Sequence, residues 1–265
     1  VINLKEASDA LLQYLKVQSH PLAIKYLQAG QEIPQGFMRP GDMGIKSPFC
    51  QINTIVRKWG FSMAVRPEDV NCAAALLAFG WGDLGDLNRE EELVDLMVSG
   101  GYVADSQKAR DLIKTQPFLS GESKFTARGI LVTTAAAGLI EDPDVILIYG
   151  NPAQITRLIQ SMVYIEGRMI ESQAHFGLSC VNEIIIPSIS KRAMYIVPGR
   201  GERQLGLAGD DEMVFALPAA KLQDLLIGLK ETDEKGSKYP IQPYLFYQPR
   251  FHKAGSKLMK NIRLT

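Results

Sequence analysis

Residues Val145–Met162 read VILIYGNPAQITRLIQSM, and this stretch decides the fold class. Val145–Tyr149 is an apolar run of strand length, and Asn151 follows as a residue whose side chain caps free helix amides. Pro152 then stands at a first helical position, where a missing N–H costs nothing, and an amphipathic helix continues from it. Met213–Leu229, MVFALPAAKLQDLLIGL, repeats the plan with Pro218 at the junction. The segments between the two units do not match, so the chain is not a short-period solenoid. Two strands that each run straight into a packed helix predict a layered α+β fold with helices on a mixed sheet.

Working outward, Leu22–Leu27, Phe61–Val65, Arg128–Ala136, Arg168–Ala174 and Ala193–Val197 read as further strands. Asn3–Lys16 is an amphipathic helix with Leu4, Ala7, Leu11, Leu12 and Leu15 on one face, and Asn3 with Glu6 has capping-box spacing. Asn88–Ser99 and Asp105–Thr115 are two more helices, the first with Leu93, Leu96 and Met97 inward. Gln28–Ser47 is rich in Gly and Pro and reads as a long loop, with Met38 and Met43 placed to cover a cofactor. No linker divides the chain. Residues 1–265 are read as one continuous body, with 235–265 an extended aromatic and basic tail that wraps the body or enters a homo-oligomer interface.

Chemistry concentrates in Phe49–Gly82, FCQINTIVRKWGFSMAVRPEDVNCAAALLAFGWG, which reads helix, short strand, helix. Ser47-Pro48 opens the first helix, and Phe49, Ile52, Val56 and Trp59 share its stripe. Cys50 and Cys72 fall at the starts of the two helices, and Cys180, after Gly177-Leu178-Ser179, opens a third that Pro187 stops. A helix N-terminus carries unpaired N–H groups and partial positive charge, so a thiol there loses its proton more readily. The thiolate binds metals and attacks electrophiles. The competing reading is a small buried hydrophobe.

The cysteine spacing matches neither a zinc finger nor a ferredoxin. Three distant thiols can still converge on three irons of a cubane cluster, with His175, five residues before Cys180, as the fourth protein ligand. A second candidate is Pro198–Arg203, PGRGER: Gly199 and Gly201 let backbone amides turn toward an anion, and Arg200 and Arg203 add bidentate contacts. Its competing reading is a glycine turn with solvated arginines. Trp81 reads as core, and Asp210-Asp211-Glu212 as solvated charge. No Ser–His–Asp set can be singled out, and the catalytic residues, if any, stay unassigned.

Of 265 residues, 46% are hydrophobic and 22% charged, with a formal net charge of zero. That is ordinary for a globular protein and leaves no electrostatic footprint for nucleic acid. No apolar run reaches the ~20 residues of a membrane helix. No signal peptide is read, and three cysteines without secretory features point to a reduced, cytoplasmic setting.

His20–Leu27 (HPLAIKYL), Trp59–Cys72 (WGFSMAVRPEDVNC), Ile148–Gln160 (IYGNPAQITRLIQ), Val197–Arg203 (VPGRGER) and Asp210–Leu229 (DDEMVFALPAAKLQDLLIGL) together resemble an uncharacterised family. It is the archaeal and bacterial family called ArCR, the domain-of-unknown-function family numbered 169. The resemblance implies cysteines at positions 50 and 72 and an anaerobic context, and it supplies no activity. A further family cysteine near the late Gly-x-Arg turn is missing here, where Pro198 leads into Gly199-Arg200. The resulting expectation is a cofactor-binding protein that holds an iron–sulfur cluster through Cys50, Cys72 and Cys180 with His175, or else haem or another tetrapyrrole. The alternative is a metal-free enzyme or sensor for a small anion, with Arg200 and Arg203 on the anion and a cysteine nucleophile. A third is a scaffold subunit whose tail docks a partner.

Overall fold

The computed structural model describes residues 3–83, 88–115, 125–174, 177–243 and 253–262. Six strands, β1 (Leu22–Leu27), β2 (Met63–Val65), β3 (Gly129–Thr134), β4 (Val145–Gly150), β5 (Met194–Ile196) and β6 (Met213–Pro218), form one sheet in the order β2-β3-β1-β4-β6-β5. The helices are α1 (Leu4–Leu15), α2 (Phe49–Trp59), α3 (Ala73–Ala78), α4 (Arg89–Ser99), α5 (Ser106–Lys114) and α6 (Pro152–Glu166). They continue with α7 (179–190), α8 (Arg200–Leu205), α9 (Leu222–Glu234) and α10 (Lys253–Asn261). The fold is α+β, as the sequence predicts. Every pairing between strands is antiparallel, which corrects the mixed sheet; the parallel contacts described are isolated bridges at Met38–Met63 and Ser47–Val70. Between β4 and its neighbour β6 the chain makes the helices α6, α7 and α8 and the edge strand β5, and it re-enters the sheet at the end where β4 finishes, Met213 pairing with Gly150.

Strand side chains alternate between two faces. Val145, Leu147 and Tyr149 of β4 enter one core with Leu22, Ile24, Val132, Val214 and Ala216. Ile146 and Ile148 enter the other with Ala23, Leu131, Phe215 and Leu217. Both faces are covered, and for that reason β4 reads as an unbroken apolar run rather than an alternating one. Long helices α1, α6 and α9 cover the second face, through Leu11 and Leu15, Leu158 and Met162, and Leu225 and Leu229. Helices α2, α3 and α7 cover the first, through Phe49, Ile52 and Val56, Ala75 and Ala78, and Val181, Ile184 and Ile185.

The caps behave in part as expected. Asn3 Oδ1 accepts from the amides of Lys5 and Glu6 at 3.0 and 3.3 Å, starting α1. At α6 the Gln154 amide donates to Asn151 Oδ1 at 2.9 Å while the Asn151 amide donates to Gln154 Oε1 at 2.7 Å, a reciprocal capping box. Ser47 does not cap α2: Pro48 occupies the cap position, and the Ser47 hydroxyl donates to Gln51 Oε1 at 2.9 Å. In the second strand–helix unit, Pro218 ends β6 and a short 3₁₀ turn, Ala219–Lys221, intervenes before α9. Trp59 is 60% exposed because α2 ends one residue later at the left-handed Gly60, beyond the packed stripe.

Arg168–Ala174 is not a strand. It lies beside β5 through a side-chain bond, Ser172 Oγ to the Tyr195 carbonyl, and lacks backbone pairing. Pro187 does not stop the helix after Cys180. Residues 181–185 take a π-helical turn, and the helix runs through the proline to Ser190. The wider turn provides the room that a proline ring and its missing N–H require. Helices α4 and α5 pack mainly on each other through Leu93, Val94, Met97, Ala109 and Ile113, with Leu77 and Leu178 tying this small core to the body. The tail begins by returning to the body, where Asn151 Nδ2 donates to Tyr239 Oη at 3.1 Å. Residues 244–252 lie outside the described residues. Among the described residues no helix is long and apolar enough to cross a membrane.

Candidate functional site

All three cysteines meet at one cavity of about 300 Å³. Each arrives on a different element. Cys50 is the second residue of α2, Cys72 precedes α3, and Cys180 sits at the start of α7, just before the π-helical turn. The three helix starts predicted from sequence are therefore real, and the fold brings them together. Phe49 and Ala73 to Ala75 complete the wall around the thiols, and Leu93, Leu96, Met97 and Tyr102 close it from the α4–α5 side. Leu96, predicted to point inward, is exposed at 44% and takes its place on this wall rather than in the core. Gly201, Glu202 and Leu205 of α8 complete the lining. None of the three cysteines is in a disulfide.

Gly206 makes the approach of α8 to α2 possible. A Cβ there would meet Cys50 Cβ and the Glu202 carbonyl oxygen, each at 2.8 Å. The Gly206 carbonyl also accepts from the buried Thr54 hydroxyl, and the Cys50 thiol lies 4.0 Å from the Gly201 carbonyl oxygen.

Cys50 and Cys180 do not behave as helix-activated nucleophiles. Burial pushes Cys50 up to about 12, helped by the negative charges of Glu202 and Glu183 and by Cys72. Burial likewise holds Cys180 well above the ordinary thiol range, with Glu183 next. The amide of Gln51 favours the Cys50 thiolate as the helix argument requires, but desolvation outweighs it. At neutral pH both thiols keep their protons.

A buried polar network lies against this cavity, and its members were not singled out from the sequence. Glu183 and Glu202 are 1% and 5% exposed. Tyr149 Oη donates to Glu202 Oε1 at 2.9 Å and lies 3.4 Å from Glu183 Oε2, and Asn53 Nδ2 donates to Glu183 Oε2 at 3.2 Å. Burial, then the charge and hydrogen bond of Glu202, hold Glu183 well above the usual carboxylate range, so Glu183 keeps its proton and can donate it toward Glu202. Burial and the two carboxylates also keep Tyr149 a phenol, and hence a donor. Behind them Arg57, fully buried, lies 4.0 Å over the Tyr149 ring. It donates to both oxygens of Glu212 at 2.6 and 2.9 Å. Glu212 is therefore not the solvated turn residue expected. Burial opposes its charge, but Arg57 holds it below the ordinary range.

The glycine–arginine segment is a helix start rather than an open turn. Gly199 caps α8, and its amide donates to Ser179 Oγ at 2.8 Å, tying α8 to the start of α7. Arg203 is committed to the carbonyls of Gly209 and Glu212, and Arg200 is exposed. Gly201 is the glycine that reaches the cavity. Met38 and Met43 lie away from it, Met38 pairing with β2. Trp81 packs against the core, its indole N–H on the Ala127 carbonyl. His175 lies outside the described residues. Among the described residues no group of three His, Cys, Asp or Glu is drawn together tightly enough to hold a single metal ion.

These elements define an α+β protein with a thiol-lined cavity between the sheet-covering helices and a helical hairpin. The family model of DUF169, described as Uncharacterised ArCR, matches residues 10–228, and the chain belongs to that family. No curated protein and no solved structure matches it.

Proposed function

We propose that this chain is a cofactor-binding protein whose cavity holds a redox metal centre, an iron–sulfur cluster, on Cys50, Cys72 and Cys180. The observation that supports this reading is the arrival of three thiols from three distant segments on one apolar cavity. A single zinc ion would draw its thiolates to about 2.3 Å each, closer than a scattered set allows. A cluster takes its thiolates on separate irons, so its ligands stand around a volume. A cavity of about 300 Å³ is at the small end of ligand pockets and suits a compact group better than a broad tetrapyrrole, which stays the second choice. Such a group supplies electron transfer when bound.

The chain's own residues bind, exclude water and give up protons. Loading requires the thiols to deprotonate, and Cys50 and Cys180 hold their protons strongly, so loading releases protons and strengthens with rising pH. Leu93, Leu96 and Met97 keep the centre from solvent. His175 is the candidate fourth ligand. An anaerobic cytoplasm is the setting in which such a centre survives. The anion-binding alternative draws less support: Arg203 is occupied by carbonyls, the cavity wall carries Glu202, and two of the thiols are poor nucleophiles.

The test is purification without oxygen, followed by an absorption spectrum with iron and sulfide analysis. Broad visible absorbance with both elements, lost in Cys50→Ala, Cys72→Ala and Cys180→Ala, is the expected result. A sharp intense band with iron and no sulfide would replace the cluster by a tetrapyrrole. Colourless, metal-free protein would overturn both.

A further inference from the structure

The three thiols are linked to one another in two different ways. Cys50 and Cys72 are joined through backbone. The Ser47 amide, three residues before Cys50, donates to the Asp69 carbonyl at 2.9 Å, and the Asn71 amide, next to Cys72, donates to the Ser47 carbonyl at 3.4 Å. Asn71 Nδ2 adds a bond to the Lys46 carbonyl at 3.2 Å. Cys50 and Cys180 are joined through side chains instead. Asn53 stands three residues after Cys50, and Glu183 stands three residues after Cys180. Asn53 Nδ2 donates to Glu183 Oε2 at 3.2 Å, and both residues are buried. Tyr149 Oη, 2.9 Å from Glu202 Oε1 and 3.4 Å from Glu183 Oε2, anchors the pair to β4. Apolar helix contacts tolerate some sliding, because many offsets bury similar area. A buried hydrogen bond does not: one offset satisfies it, and the others strand a donor and an acceptor away from water.

We infer that Asn53 and Glu183 are positioning residues whose bond fixes the spacing between Cys50 and Cys180, bringing the third thiol into register with the two that the backbone joins. This deepens the cofactor reading, and it rests on that reading only in taking the three thiols as the working set. The bond forms with or without a bound centre.

The probe is dibromobimane, each arm of which alkylates one thiol: an S–C bond forms, bromide leaves, and the thiol proton goes to the buffer. The full chain is purified without oxygen, assayed for iron and sulfide, freed of metal by a chelator, and alkylated in alkaline buffer. Mass spectrometry of the linked peptides gives the ratio of Cys50–Cys180 to Cys50–Cys72 links. Asn53→Leu removes the donor and keeps a branched side chain of similar size. The ratio should fall at least about tenfold, the order of effect of misplacing one of two reacting groups. Glu183→Gln, which keeps an acceptor for Asn53, should hold the wild-type ratio. A merely structural role would lower the unfolding midpoint of Asn53→Leu and leave the ratio alone. Asn53→Ala repeats the measurement if the leucine variant does not fold. Wild type without a Cys50–Cys180 link, or a ratio that falls as far in Glu183→Gln, would overturn the proposal. So would an unchanged ratio in the Asn53 variants, which would assign the spacing to α8, bonded to α2 at Thr54 and to α7 at Ser179. Iron-free wild type whose ratio still falls in Asn53→Leu would sink the metal reading and leave this one standing; iron-loaded wild type with an unchanged ratio would do the reverse.

Discussion

The two faces of the sheet start from the same alternating strands and are covered differently. On one, α1, α6 and α9 lie close against the strands and against each other. Gly228 of α9 approaches so near to α6 that a Cβ would meet the Ser161 carbonyl oxygen at 2.3 Å. On the other face, α3, α7 and α8 are short or interrupted, and their starts, together with that of α2, surround a cavity rather than filling it. That face also buries Asn53, Arg57, Glu183 and Glu202. The comparison separates two uses of one sheet. Among the described residues, one side packs long helices closely, with a single buried charge, Arg157, bonded between α6 and α9 to Thr232, and the other gathers carboxyls and thiols around a cavity.

The largest expected effect breaks the cavity face. Arg57→Ala removes the fully buried cation that holds Glu212 and covers Tyr149, leaving an unpaired carboxylate. Breaking a buried pair from one side costs about 3–5 kcal/mol. Urea unfolding checks it, and a loss below about 1 kcal/mol would mean that the pair contributes no more than a surface bridge.

The next breaks the packed face. In Gly228→Ala the clash is with backbone atoms of α6, which cannot swing aside as a side-chain tip can. Overpacking of this kind costs about 1–3 kcal/mol. The expected outcome is a lower unfolding midpoint with the metal content and probe binding of the cavity unchanged in the folded protein. A shift in cavity binding would show that the two faces are not independent.

The sequence made the packed face easier to read than the cavity face. Strands such as Val145–Tyr149 announce themselves because both their faces are covered, and the Asn151–Gln154 cap acts over three residues. Local signals suffice for local structure. Arg168–Ala174 failed because strand character needs a backbone partner, which no single segment reveals. The cysteines were legible one at a time, as helix starts, but their convergence depends on how α2, α3 and α7 are docked. Burial, the factor that reverses the helix effect at Cys50, has no local signature either. Arg57 and Glu212 are 155 residues apart, so Glu212 looked like one more turn acid. Glu183 does carry a signal in the sequence: an acid directly before three isoleucines, Ile184–Ile186, in a short helix must find a partner or keep a proton.

The smallest expected effect sharpens the comparison by removing that proton. In Glu183→Gln the amide keeps an acceptor for Asn53 and a donor toward Glu202, so near pH 5 the variant and the wild type should differ by less than about 1 kcal/mol. The pH dependence should differ more than the stability does. A carboxyl raised by burial and by Glu202 gives its full stabilisation below the unfolded value of about 4.5, and loses it as pH climbs toward the folded value. The wild type should therefore lose stability between pH 5 and pH 8 relative to Glu183→Gln, which has no proton to surrender there. Parallel stability curves over that interval would mean that Glu183 does not hold its proton in the folded chain. The cavity face would then differ from the packed face in composition alone.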